Sequence, residues 1–450
     1  MSHGLKIASM HQAIRHLSPF QIKGVVRGIQ GLIVTVDGLE AIANLGARCF
    51  IEARTGRQIT CEIVGFQNGL ALLMPFELLE GVGPGCAVTF LETQLKIFPS
   101  GDWLGRVIDG QGIPMDNGGP LLKGKDGIIV KPLQRQIGLK KSLGRPLDTG
   151  IRAINTFLTI CEGQRMGIFS GSGVGKSTLF AQIARNSHAD INIIGLIGER
   201  GREVGEFVTE TLGPSGLEKS IVIAATSDTS PLVRVQAAHM TLALAEYFRD
   251  QGKQVLCLMD SVTRFAMAQR EIGLSVGEPP ATKGYTPSVF AELPKLLERA
   301  GPGTREGQGA ITGIFTVLVD GDDHNEPIAD AARGILDGHI VLTRSIAERG
   351  RFPAIDILKS ISRTVPKCHT AAEQAIVKKA RRHMAVYADM EDMIRLGAYR
   401  NGADPLVDDA IKYHDLLEDF LAQSAAENIS LEGSFLALDT VLKAKIPPQS

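Results

Sequence analysis

The spacing of apolar residues changes character along the chain, and each change predicts a different kind of element. Over residues 4–17, Leu5, Ala8, Ile14 and Leu17 fall toward one side at helical spacing, with Lys6, Gln12 and Arg15 interspersed. That predicts a short amphipathic helix, which either frays or docks a partner. From Phe20 to Glu92 short strand-like runs take over: Gly24–Val26, Gly31–Val36, Cys49–Glu52, Ile59–Val64, Ala71–Met74 and Ala87–Phe90. Glycine turns, including Asp37-Gly38 and Asn68-Gly69, separate them at roughly even spacing and predict a small closed β-barrel. Residues 93–148 are punctuated by glycine and proline and read as a loop-rich connection in which Trp103 packs a core.

From about residue 149 to 365, near-continuous apolar runs alternate with helical stretches. The runs Met166–Phe169, Ile191–Ile197, Ile221–Ala225, Val255–Met259, Ile311–Val319 and Ile340–Leu342 predict strands buried on both faces. Such strands form a mostly parallel sheet with helices on both sides, an α/β core. After Pro366 the pattern is helical. Ile376, Ala380, Met384, Tyr387, Met390, Met393, Ile394 and Leu396 keep a 3.6-type spacing, and two further helices are expected around 405–424 and 430–444. Lys378, Lys379, Arg381 and Arg382 read as a solvated helix face. The expected divisions are residues 1–18 (N-terminal helix), 19–92 (barrel), 93–365 (connection and α/β core) and 366–450 (C-terminal helical domain).

Composition narrows the class. The chain has 450 residues, 44% hydrophobic and 22% charged, as expected of a soluble globular protein of about three domains. A net charge of −1 gives no global basic signal, and the barrel has few aromatics and scattered basic residues. An assembly role for the barrel and no nucleic-acid partner are therefore expected. Six cysteines lie far apart without metal or redox spacing, which suggests reduced thiols and a cytoplasmic location. No apolar run approaches the ~18 residues of a membrane span, and no secretory signal is evident, so membrane association would be peripheral.

The chemistry centres on Met166-Gly-Ile-Phe-Ser-Gly-Ser-Gly-Val-Gly-Lys-Ser-Thr178, an apolar run, a glycine-rich turn and a helix start. Here the backbone of Gly171, Ser172, Gly173, Val174 and Gly175, with the first helical turn through Thr178, would cradle a polyphosphate. Lys176 would reach the β- and γ-phosphates of ATP, and Ser177 would hold Mg²⁺. Ser170 stands where the strict pattern has its first glycine. Asp260 ends the run Val255–Asp260 and is placed to organise Mg²⁺. Glu199 follows the strand after the loop's helix and is the choice for polarising the attacking water, with Glu203 as rival. Arg200 either contacts phosphate or pairs with one of those glutamates. Arg363, read as lying in a loop, is either solvated or an arginine finger from a neighbouring subunit, worth ~10³–10⁵ in rate. Phe352 is either core or a stacking surface for adenine.

Together these residues resemble the hexameric rotary and secretion ATPases related to the catalytic subunit of F-type ATP synthase, over nearly the whole chain. Pro353-Ala-Ile-Asp-Ile-Leu-Lys-Ser-Ile-Ser362 is similar to the family signature P-x-[LIV]-[DN]-x-x-x-S-x-S. Within that group, Gly195–Val204, Asp260–Ala266, Arg270–Leu274 with Gly277–Pro280, and Leu296–Gly301 resemble the type III secretion ATPases. Gly321–Asp330 and Ile335–Ile340 resemble the flagellar branch.

The resemblance implies a RecA-like P-loop core and ATP held at the interfaces of a homo-hexamer. It implies Lys176 and Ser177 on phosphate and Mg²⁺, Glu199 activating water, and Arg363 reaching across from a neighbour. It further implies a regulator or stator protein on the N-terminal helix, a coiled-coil stalk in the ring, and export-gate membrane proteins and chaperone–substrate complexes at the inner face of the cytoplasmic membrane. Alternatives are an injectisome-type secretion ATPase, an ATP synthase catalytic subunit and a hexameric nucleic-acid translocase. Ser170 and the segment Gly397–Pro405, which replaces an acidic lever, depart from the synthase pattern.

Overall fold

The computed structural model describes residues 21–91, 94–131, 142–171, 173–319 and 326–444. The helix expected over 4–17, Ser172 of the glycine-rich turn and residues 321–325 lie outside the described residues. Two compact units form: the chain up to Leu95 with Ser230–Leu232 and Glu271–Glu278, and the remainder.

The first unit holds the barrel. Its strands are β1 (Lys23–Gln30), β2 (Ile33–Asp37), β3 (Arg48–Glu52), β4 (Gln58–Gln67), β5 (Leu70–Pro75) and β6 (Ala87–Leu91). They close in the order β1-β2-β5-β4-β3-β6, with β1 pairing both β2 and β6. Alternate residues point inward, as strand geometry requires: Val34 and Val36, Cys49 and Ile51, Ile59, Cys61 and Ile63, and Ala71 and Leu73 form the core. Asn68 and Gly69 join β4 to β5 with φ of 50° and 73°. A two-residue turn of that hand matches the twist of its strands and explains the Asn-Gly pair.

In the second unit the central sheet contains β7 (Val107–Asp109), β8 (Arg165–Ser170), β9 (Ile191–Glu199), β10 (Ser220–Thr226), β11 (Gln254–Asp260), β12 (Ala310–Leu318), β13 (Gly338–Leu342) and β14 (Ile355–Ser362). Their order is β14-β13-β8-β12-β11-β9-β10-β7. All neighbours run parallel except β13 and β14. The six apolar runs of the α/β core are all strands. Two further strands were hidden: β7 comes from the connection read as loops, and β14 is the segment read as a loop before Arg363. Both lie at sheet edges, where polar and charged positions dilute the apolar signal. Trp103 packs inside, 4% exposed, and its Nε1–H donates to the Leu122 carbonyl at 2.8 Å.

The C-terminal helices Ala371–Arg395, Pro405–Leu421 and Leu431–Lys443 share one apolar cluster with the α/β core. Phe157 packs edge-on against Phe420 at 6.4 Å, and Phe435 joins the same cluster. Each such buried ring is worth about 1.5–3 kcal/mol. A capping box from Thr370 and Glu373 starts the first of these helices. The basic cluster on that helix is not simply solvated. Arg381 is half-buried and donates to the carbonyls of Ile357 and Ser360, covering the exposed edge of β14. Lys379 lies over the Tyr413 ring.

Candidate active site

The site begins where β8 passes into helix α1 (Lys176–Asn186). Ser170 is 1% exposed, and its hydroxyl has no partner among the described residues. Gly173 and Gly175 have φ of 78° and 86°. A side chain at either position would clash with its own backbone, so glycine is required. Val174 between them is buried and anchors the loop in the core. The Gly175 carbonyl accepts from Leu179 N–H at 3.0 Å and starts the helix. The first-turn N–H groups of Lys176, Ser177 and Thr178 therefore lack helical acceptors and form an anion cradle. Ser177 and Thr178 are exposed on that turn.

Glu199 and Asp260 reach the same edge because their strands are parallel to β8. Register places Leu196 beside Asp260, while Ser170 stands beside Leu318 of the intervening β12. A bulge aims Glu199. The β9–β10 register shifts between Ile197 and Glu199, at Gly198, whose φ is 73°. A Cβ at Gly198 would come within 2.8 Å of the Arg264 side chain. Bulges re-aim the next side chain, and Glu199 Oε1 ends 3.9 Å from Lys176 Nζ.

Lys176 Nζ donates to Asp260 Oδ1 at 2.5 Å. Thr316, on β12, donates its hydroxyl to the same oxygen at 2.7 Å. Asp260 is only 4% exposed. Burial first, then Asp260's charge and Glu203, push the Glu199 carboxyl up to about 7 against the opposing effect of Lys176. Two carboxylates share one ammonium in a nearly dry corner, and the second ionises reluctantly.

The Phe352 ring lies against the loop: a Cβ on Gly175 would sit 3.4 Å from it. The ring is 46% exposed, so its remaining surface is open to a ligand. Gln423 N–H donates to the Phe352 carbonyl at 2.8 Å and holds that position. Two predicted residues stand away from the loop. Arg200 Nη1 is 3.3 Å from Glu203 Oε1, with its side chain exposed. Arg363 follows the last residue of β14. Ser362 pairs with Gly338, whereas Leu342 pairs with Ser170. Arg363 N–H donates to the Asp337 carbonyl, so it is at the opposite edge of the sheet from its own phosphate loop, about 16 Å away along the strands. Its Nη2 donates to the Arg333 carbonyl at 3.4 Å.

Sequence reasoning missed Gly198, Thr316 and Gln423. The glycine before Glu199 was a readable bulge signal. A threonine in a mostly apolar strand, and a glutamine in a helical tail, carry none.

Residues 150–362 match the family model for the ATP synthase alpha/beta family, nucleotide-binding domain, and residues 369–440 match the T3SS EscN ATPase C-terminal domain. A protein of Caulobacter vibrioides named flagellum-specific ATP synthase is 53% identical over 97% of this chain and 99% of its own length. The chain belongs to the flagellum-specific ATP synthase family. Among solved structures of this broader ATPase group, the assembled EscN of the enteropathogenic E. coli type III secretion system is 41% identical. Its TM-score is 0.87, covering 93% of this chain and all of that one. EscN in complex with its central stalk EscO is 40% identical with a TM-score of 0.84 over the same shares.

Proposed function

We infer that this chain is the ATP-hydrolysing motor of a flagellar type III protein export apparatus, working as a ring of identical subunits. The observation that carries this reading is the convergence of Lys176, Glu199 and Asp260 over a glycine-rich helix start. In this reading Lys176 leaves Asp260 for the β- and γ-phosphates, and the N–H groups of the loop hold the remaining phosphate oxygens. Glu199 accepts the proton of the attacking water. Phe352 stacks on the adenine, and Arg363 serves the site of a neighbouring subunit. Glu203 fixes Arg200 and raises the proton affinity of Glu199.

The donors near the loop also suit Mg²⁺. The Ser177 hydroxyl and the Asp260 carboxylate are hard oxygen ligands, and Asp260 lies within hydrogen-bond reach of the lysine that would hold phosphate. The ion would neutralise charge on the β- and γ-oxygens.

In the cell the ring would act at the inner face of the cytoplasmic membrane. Its partners would be a regulator on the N-terminal segment, a coiled-coil stalk, export-gate membrane proteins and chaperone–substrate complexes. The solved EscN–EscO complex supports the stalk. No helix among the described residues is long and apolar enough to cross a membrane, which agrees with peripheral placement.

Lys176→Ala tests the reading. It should abolish phosphate release from ATP while the chain stays folded and assembled. Full turnover in that variant would overturn the assignment of the loop, and loss of motility on chromosomal replacement would tie hydrolysis to export.

A further inference from the structure

We propose that Thr316 is a positioning residue for Asp260, holding its carboxylate while Lys176 moves to the nucleotide. The inference rests on the reading of Asp260 as the carboxylate that organises Mg²⁺.

Among the described residues, two donors reach Asp260 Oδ1: Lys176 Nζ at 2.5 Å and Thr316 Oγ1 at 2.7 Å. The lysine is also the residue that must contact phosphate. It cannot sit 2.5 Å from Asp260 and cradle the β- and γ-phosphates at once. Nucleotide binding therefore strips Asp260 of its charged partner. A carboxylate that is 4% exposed cannot replace that partner with bulk water. Thr316 is fully buried and stays in place, because it belongs to β12, which pairs with β8 on one side and β11 on the other. Among the described residues its other acceptor within reach is the Met259 carbonyl at 3.4 Å, a much poorer bond.

The hydroxyl does two things. It keeps Oδ1 hydrogen-bonded after the lysine leaves, so no buried oxygen is left unpaired. It also restrains the carboxylate's rotation, leaving Oδ2 free of this contact. An apolar residue of the same shape would leave Asp260 either holding Lys176, which weakens phosphate contact, or with a buried oxygen unpaired and its carboxylate free to rotate, which weakens the metal contact. The strand's other hydroxyl, Thr312, accepts from Gly163 N–H at 3.0 Å, whereas that of Thr316 is turned to Asp260.

The test is binding of a non-hydrolysable ATP analogue by titration calorimetry, with and without Mg²⁺, to full-length wild type, Thr316→Val, Thr316→Ser and Asp260→Asn. The readout is the factor by which Mg²⁺ tightens binding. Thr316→Val should lose roughly tenfold of that factor. Thr316→Ser, which restores the hydroxyl but removes the methyl, should recover it. Should valine behave as wild type, or serine fail as badly as valine, the hydroxyl has no such role and the proposal falls. Asp260→Asn separates this outcome from failure of the parent reading. If that variant keeps the full Mg²⁺ effect, Asp260 does not organise the metal, and the premise rather than Thr316's contact with it is at fault. Thermal unfolding of each variant distinguishes lost positioning from lost fold, and Thr316→Ser supplies a second, milder variant.

Discussion

Arg363 offers the sharpest test of how the site is completed. Strand register puts it at the far edge of the sheet from Lys176 of its own chain, about 16 Å away along β13 before the loop is counted. No side-chain rotation closes that gap. If Arg363 acts on the γ-phosphate, it does so in a neighbouring subunit. Arg363→Ala should then cut turnover by ~10³–10⁵, and Glu199→Ala by ~10²–10⁴, each with nucleotide binding largely kept.

The two defects lie on opposite sides of one interface. A competent interface in a mixed ring needs an Arg363→Ala subunit supplying Glu199 and a Glu199→Ala subunit supplying Arg363. With equal amounts mixed at random before assembly, each condition holds half the time. About a quarter of wild-type turnover should return. The assay is steady-state phosphate release as the ratio is varied, with assembly followed by light scattering. Activity should peak at the equal mixture and vanish at both ends. Lys176→Ala mixed with Glu199→Ala is the control: both residues serve the same side, so nothing should return. A flat, inactive profile for the Arg363 and Glu199 pair, in rings shown to be mixed, would refute action across the interface.

Cys368 should be the most reactive thiol among the described cysteines. Hydrogen bonding from the Cys161 thiol, aided by His369, holds it down at about 5 against the opposing effect of burial. A lowered value means thiolate already dominates at pH 6. Its alkylation rate, mapped by mass spectrometry, should stay flat from pH 6 to 8, where an ordinary thiol gains roughly tenfold per pH unit. Gly175→Ala forces a side chain into a φ of 86° and toward the Phe352 ring. It should cost about 1–2 kcal/mol of stability and abolish binding of a fluorescent ATP analogue; unchanged binding would contradict the loop geometry. Arg152→Ala removes guanidinium bonds to the Phe420 and Ala422 carbonyls and an ion pair with Glu427. Thermal unfolding should show a loss of roughly 1.5–3 kcal/mol, and limited proteolysis should show earlier release of the C-terminal helices.

Much of this architecture was legible because burial dictates composition. The six barrel strands are short runs set off by glycine turns, and the six inner runs of the core are almost continuously apolar, so length and punctuation named them. The phosphate loop was legible because its conformation demands glycine at fixed positions. Asp260 and Glu199 could be read as candidates because charges ending apolar runs sit at the edge where ligands bind. Strands β7 and β14 were hidden because an edge strand is half-solvated and follows no clean pattern. Arg381 looked like any surface arginine, since its acceptors are backbone carbonyls more than twenty positions away. Side-chain identity says nothing about which carbonyl a guanidinium will find.

The least legible contacts are those that tie the tail to the nucleotide loop. Gln423 donates through its backbone to the Phe352 carbonyl, and through its side chain to the Gly150 carbonyl at 2.7 Å. Its side-chain oxygen accepts from Arg152 N–H at 2.9 Å. Gln182, on the helix that carries Lys176, donates to the Ser424 and Glu427 carbonyls at 3.3 Å. Residues 423–427 therefore grip the phosphate-loop helix and the aromatic ring beside it at the same time. These are buried or half-buried polar bonds, and leaving one unmade costs about 1–3 kcal/mol. The tail helices cannot turn away as a body while all of these bonds persist. Either the segment moves with the loop and Phe352, or bonds break at that cost. Whatever holds the ring of Phe352 in place thus also resists movement of the C-terminal helices, and by linkage anything that displaces those helices must weaken what the ring holds.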